Sequence, residues 1–96
     1  MLYSADADVV MSAHDHLYER YAPQDPNGAP DPRRGITQFV AGTGGSTLYQ
    51  VASLQPNSEA RISAYGVLKM TLRADAYEWE FISVSGARDT GTRTCH

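Results

Sequence analysis

Ninety-six residues allow one domain at most, since domains usually run to roughly 100–150 residues, and a chain this short buries only about 60–65% of the surface its unfolded form exposes. With 8 Lys and Arg against 11 Asp and Glu the net charge is −3, all of it in the first half, which excludes a surface built to hold nucleic acid by counterion release. No run approaches the ~20 apolar residues of a bilayer span, the first residues lack the basic start and apolar run of a signal peptide, and the single cysteine, Cys95, has no partner for an internal disulfide.

In chain order, Ala7 to Ser12 is a short apolar run that predicts a buried strand, followed at once by a polar cluster. Ala22 to Gly35 holds four of the five prolines, which remove ladder donors and fix φ, so an exposed loop is expected. Ile36 to Ala41 is β-prone, and Gly42-Thr43-Gly44-Gly45 stops it with a sharp exit; without a following Gly-Lys-Ser/Thr it is not a phosphate-binding P-loop. From Ser46 to Ser63 there is no clear period, and mostly loop with a short helix is expected. Leu68, Met70 and Leu72 alternate with Lys69, Thr71 and Arg73, and Tyr77, Trp79 and Phe81 alternate with Glu78 and Glu80. Folding these runs back across Ala74-Asp75 sets Met70 opposite Trp79 and Lys69 opposite Glu80, so an antiparallel hairpin over Leu68–Arg73 and Ala76–Ser83 is predicted. A lone hairpin is marginal in water, and its apolar face is expected to be under-covered in this chain. The alternating glutamates argue for a core face over a base-stacking platform. Ser85 to His96 shows turn formers and no period, which predicts a surface tail.

Two of the three histidines lie in Ser12-Ala13-His14-Asp15-His16-Leu17-Tyr18-Glu19-Arg20, directly after the first strand. In extended backbone, residues i and i+2 point to one side about 6.5–7 Å apart, so both imidazoles can converge on one metal ion or on two adjacent ions. Asp15 would point the other way and is the weaker ligand. Spacing alone leaves open that an exposed His-x-His binds nothing, and two ligands fall short of the three or four of a tight site. Arg20 could pair with a phosphate, but a network of Tyr18, Glu19 and Arg20 that pins the ligand loop from behind is the simpler expectation. Arg33-Arg34 is a solvated pair, and His96 is not expected to be a ligand.

The string Ala-Asp-Val-Val-Met-Ser-Ala-His14-Asp-His16-Leu-Tyr-Glu-Arg resembles the last metal-ligand motif, Gly-His-x-His followed by Tyr-Glu-Arg, of the calcineurin-like metallophosphoesterases, in the branch of purple acid phosphatases and secreted alkaline phosphatases. The resemblance continues through Tyr21 to Pro26, Gly35 to Gly45, Gly66 to Leu72 and Tyr77 to Phe81, in the family's order. It implies an α/β fold of four layers, αββα, of which residues 1–96 would be the C-terminal portion, mostly antiparallel β with long loops. It further implies metal-dependent hydrolysis of phosphoric esters, with His14 on one and His16 on the other of two transition-metal ions (zinc, iron or manganese). No catalytic residue independent of the metal ligands is implied. Partners would be the phosphate-ester substrate and the upstream part of the enzyme, with no nucleic acid and no membrane, self-association through exposed apolar surface, and an extracytoplasmic parent.

Two positions depart from the family pattern: Ala13 stands where Gly precedes the first histidine, at a cost on the order of 1 kcal/mol if positive φ is needed there, and Asp6 stands in a second Gly position. The family's upstream ligands, Asp-x-His, Gly-Asp and Gly-Asn-His among them, do not occur in these 96 residues. The isolated chain is therefore expected to be inactive. The competing expectation is a non-catalytic β-rich remnant or interaction module.

Overall fold

A computed structural model describes residues 2–5, 7–13, 15–45, 47–48 and 57–95. Among them are seven strands and no helix: β1 (Val9–Ser12), β2 (Tyr18–Tyr21), β3 (Thr37–Ala41), β4 (Ser58–Ile62), β5 (Gly66–Leu72), β6 (Ala76–Ser83) and β7 (Arg88–Thr94). They form a four-stranded sheet in the order β1-β3-β2-β4 and a three-stranded meander β5-β6-β7. In the first sheet β1 runs parallel to β3, while β2 is antiparallel to both β3 and β4.

The hairpin β5–β6 has the predicted register, with Leu68 opposite Phe81, Lys69 opposite Glu80, Met70 opposite Trp79 and Leu72 opposite Tyr77, closed by Arg73 N–H donating to the Ala76 carbonyl at 2.9 Å. Its aromatic face is not under-covered. Tyr77, Trp79 and Phe81 are 3, 6 and 0% exposed, because Tyr18 and Phe39 of the first sheet pack onto them. The Tyr18 ring stacks on Phe81 with centroids 4.2 Å apart, and Phe39 meets Trp79 edge-on at 5.5 Å. Fully burying one such side chain stabilises by about 1.5–3 kcal/mol, so this five-ring cluster is the principal core. At the turn end Leu72 remains 75% exposed.

Three strands were not expected. β2 lies where a polar cluster was read, because its inward residues are Tyr18 and Arg20 and not two aliphatics. β4 falls inside the stretch with no period, of which residues 46 and 49–56 lie outside those described. The tail is the strand β7, paired with β6 along its whole length. Its inward positions are Asp89, Gly91 and Arg93, an inverted pattern that hides a strand from hydrophobic periodicity. Gly91 is required: a Cβ there would stand 2.3 Å from Cζ2 of Trp79, whose indole covers the glycine across the strand pair.

The residues from 22 to 35 form the expected loop. Asp25 Oδ1 accepts the backbone N–H groups of Asn27 and Ala29, and Asp31 accepts the Tyr3 hydroxyl at 2.7 Å.

Candidate metal site

Strands β1 and β3 are parallel neighbours and end together, Ser12 beside Val40. The chain leaving β1 must reach β2 on the far side of β3, and Ala13 and residues 15–17 lie across the carboxyl end of β3. The crossing is made at Gly42. A Cβ at that position would lie 2.1 Å from the Asp15 carbonyl oxygen and 2.6 Å from that of Ala13, which leaves glycine as the residue that fits. Gly42 N–H in turn donates to the Leu17 carbonyl at 3.1 Å and fastens the crossing from below.

Within this crossing Leu17 N–H donates to the Asp15 carbonyl at 2.9 Å, a three-residue turn with His16 at its centre. His16 is therefore carried on a tight turn and not on extended backbone, and the i, i+2 alternation of a strand does not apply to it. Its Nδ1 lies 2.8 Å from the Thr47 carbonyl oxygen, which comes from the glycine-rich exit of β3. A carbonyl only accepts, so Nδ1 carries the proton and, in the neutral ring, Nε2 carries the lone pair. That is the arrangement of a metal-ligating histidine, whose second nitrogen is held by a backbone or carboxylate acceptor. Gly45, at φ 151°, gives the exit loop a backbone conformation that L side chains avoid.

His16 rims a cleft of about 500 Å³ with Ala13, Ala41, Gly42, Gly44 and Gly45. A second cleft of about 520 Å³ shares Ala13, Ala41 and Gly44 with it and is walled by Met11, Val67 and Leu68. Both open at the carboxyl ends of the parallel strands, where sites in such sheets are found. Thr43, which lines the second cleft, donates its hydroxyl to the Gly66 carbonyl at 2.8 Å and so ties the exit of β3 to the start of β5.

His14 lies outside the described residues, as do Asp6 and His96. Among the described residues no group of three or more His, Cys, Asp or Glu side chains is gathered closely enough to hold a metal ion. His16 thus fits the role of one ligand, and the described residues do not make up the ligand set of two ions.

The three residues expected behind the ligands divide by strand alternation. Tyr18 and Arg20 face the second sheet and meet Asp89: the Tyr18 hydroxyl donates to Oδ2 at 2.5 Å, Arg20 Nε to Oδ2 at 2.8 Å and Arg20 Nη2 to Oδ1 at 3.1 Å, while the Trp79 indole N–H donates to Oδ2 at 3.2 Å. Arg20 also pairs with Glu59 and lies 5.0 Å over the Trp79 ring. Its guanidinium is held between the sheets by Asp89, Glu59 and Trp79. A register shift between Arg20 and Tyr21 leaves Glu59 without a partner residue on β2, and its carboxylate reaches both Arg20 and Arg93, the latter at 3.0 Å.

Glu19 faces the opposite way and is still only 3% exposed. It accepts the Tyr21 hydroxyl at 2.9 Å and lies 3.7 Å from Arg61. Burial and that hydrogen bond push the Tyr21 phenol up to about 12. Burial and the bond to Asp89 push the Tyr18 phenol up as well. Burial by itself would raise Asp89, but the hydrogen bonds from Arg20 and Tyr18 and the guanidinium charge outweigh it and hold the carboxyl below its ordinary range.

Sequence reasoning missed Asp89, Glu59 and Arg93. The available signal was the alternation Asp89-x-Gly91-x-Arg93 opposite Phe81, Trp79 and Tyr77, legible only once β7 is paired with β6. Comparison with known proteins returns no match: no family model, no curated protein and no solved structure aligns with this chain.

Proposed function

We propose that this chain contributes the last His-x-His of a metal-dependent phosphoric ester hydrolase of the calcineurin-like metallophosphoesterase type, as the C-terminal portion of its four-layer αββα fold. The observation that carries the proposal is His16: a turn at the ends of parallel strands, Nδ1 donating to a backbone carbonyl, and a cleft beside it. His14 and His16 would each ligate one of two transition-metal ions, and those ions, when bound, supply water activation and charge stabilisation at the phosphoryl group. The chain's own residues hold and aim the ring. Gly42 admits the crossing, Thr47 fixes the tautomer, and Leu17 and Tyr18 anchor the turn in the core. The remaining ligands, including the bridging carboxylate, would come from other segments, so these 96 residues alone should bind metal weakly and turn over nothing.

Cobalt(II) titration followed by d–d absorption tests the ligand role. Weak binding by the chain that falls further in His14→Ala and His16→Ala is expected, and equal affinity in all three would remove the basis of the proposal.

One observation favours a second reading, a non-catalytic β-rich module. The aromatic core is covered from within the chain, so the two-sheet unit has the packing of a self-sufficient fold. Cobalt affinity unchanged by loss of either histidine, in a cooperatively folding monomer, is the outcome that reading requires.

A further inference from the structure

Asp89 and His16 belong to opposite sheets and to distant parts of the sequence, yet a short chain of contacts joins them. His16 sits at the centre of its turn; Leu17, next in sequence, is 2% exposed and its carbonyl accepts Gly42 N–H. Tyr18 follows, fully buried, with its ring stacked on Phe81 and its hydroxyl on Asp89 Oδ2. The same oxygen accepts Arg20 Nε and the Trp79 indole N–H, while Oδ1 accepts Arg20 Nη2. One carboxylate thus takes four donors, three of them from two alternate residues of β2. Because Tyr18 and Arg20 are both held, β2 can neither slide nor tilt against β6 and β7 without breaking charged hydrogen bonds in a closed interior. The turn that carries His16 runs directly into that strand, and Gly42 N–H holds it at Leu17.

We propose that Asp89 is a positioning residue for His16: by gripping Tyr18 and Arg20 it sets the start of β2 and with it the aim of the imidazole, keeping Nδ1 on the Thr47 carbonyl. The consequence for metal binding rests on the reading of His16 as a ligand; the consequence for the ring does not. Glu59 cannot replace Asp89, since it reaches Arg20 and Arg93 but not Tyr18. Neither can asparagine, whose amide would set N–H groups against donors already pointing at that site.

The test uses the full 96-residue chain with three substitutions. Asp89→Asn removes the four-donor acceptor, Tyr18→Phe removes only the hydroxyl bond and keeps the stacked ring, and Asp31→Ala, which removes the acceptor of Tyr3 and of two backbone N–H groups in the loop from 22 to 35, is a control for general destabilisation. Two readouts are taken under conditions where circular dichroism shows every variant folded. The first is the ring-nitrogen NMR spectrum of His16 without metal, which distinguishes protonated Nδ1 from protonated Nε2. The second is cobalt(II) affinity. Asp89→Asn and Tyr18→Phe should shift the His16 tautomer balance away from protonated Nδ1 and weaken cobalt binding by about tenfold, in the range seen when groups that orient metal ligands are lost. Asp31→Ala should leave both as in the parent chain.

An unchanged His16 spectrum in both network variants, or an equal change in Asp31→Ala, overturns the positioning role. If the spectrum shifts as expected while His16→Ala binds cobalt as well as the parent chain, positioning stands and the metal-ligand reading falls. If Asp89→Asn does not fold, Tyr18→Phe decides by the same criteria.

Discussion

Replacing Gly42 by alanine puts a methyl carbon where the chain crosses itself. The added Cβ would stand 2.1 Å from the Asp15 carbonyl oxygen and 2.6 Å from that of Ala13, against ordinary contact near 3.4 Å or more, so the crossing must move by about 1 Å. Both obstacles are backbone atoms and no rotamer can relieve them. Overpacking of this kind costs about 1–3 kcal/mol. With a urea dependence of roughly 1 kcal/mol per molar for a chain this small, the unfolding midpoint should fall by about 1–3 M. Gly44 supplies the internal control: a Cβ there meets nothing within 4 Å and its φ is not in the left-handed region, so Gly44→Ala should be neutral or slightly stabilising through the unfolded chain. Urea unfolding of the parent, Gly42→Ala and Gly44→Ala, followed by Trp79 fluorescence, decides. Equal midpoints for the two alanine variants would refute the crossing geometry and the argument for where His16 stands.

Gly91→Ala should displace the Trp79 indole, 2.3 Å from the added carbon, and weaken its bond to Asp89, with a red-shifted fluorescence maximum and a loss of about 1–3 kcal/mol in urea unfolding. Asp89 has a folded-state pKa below its unfolded value, so its stabilisation is full above the ordinary carboxylate range near 3.9 and is lost as pH falls through the lowered native value. Urea midpoints measured from pH 6 downward should therefore fall more steeply for the parent than for Asp89→Asn. Tyr77→Phe removes the hydroxyl that donates to Thr37 Oγ1 at 2.9 Å between the sheets and should cost about 1 kcal/mol by the same assay.

The hairpin was legible because two independent alternations agree: apolar residues pair on one face and Lys69 meets Glu80 on the other, so a one-residue slip would spoil both. β1 and β3 were legible as apolar runs. β2 and β7 were not, since their inward positions hold Arg20, Asp89 and Arg93, charges that enter the interior only because they meet one another and Glu59. Hydrophobic periodicity assumes an apolar inner face and fails wherever a polar network replaces one. At the site, the histidines and their neighbours were legible as residue types. The turn at His16 and its Thr47 acceptor were not, because a backbone carbonyl leaves no trace in side-chain pattern. The glycine that makes the crossing possible was read only as a strand exit, since its close approach to Ala13 and Asp15 exists only after β3 slots between β1 and β2.

The most direct test of the central claim is hydrolysis of a chromogenic phosphate ester, with added zinc, manganese or iron, by the polypeptide of the full reading frame that contains these residues. It is compared with its His14→Ala and His16→Ala variants and with the 96-residue chain. The account predicts metal-dependent turnover by the full polypeptide, lost with either histidine, and none by the 96 residues alone. Turnover that survives both substitutions, or no metal-dependent turnover in a full polypeptide carrying the remaining ligands, would contradict it.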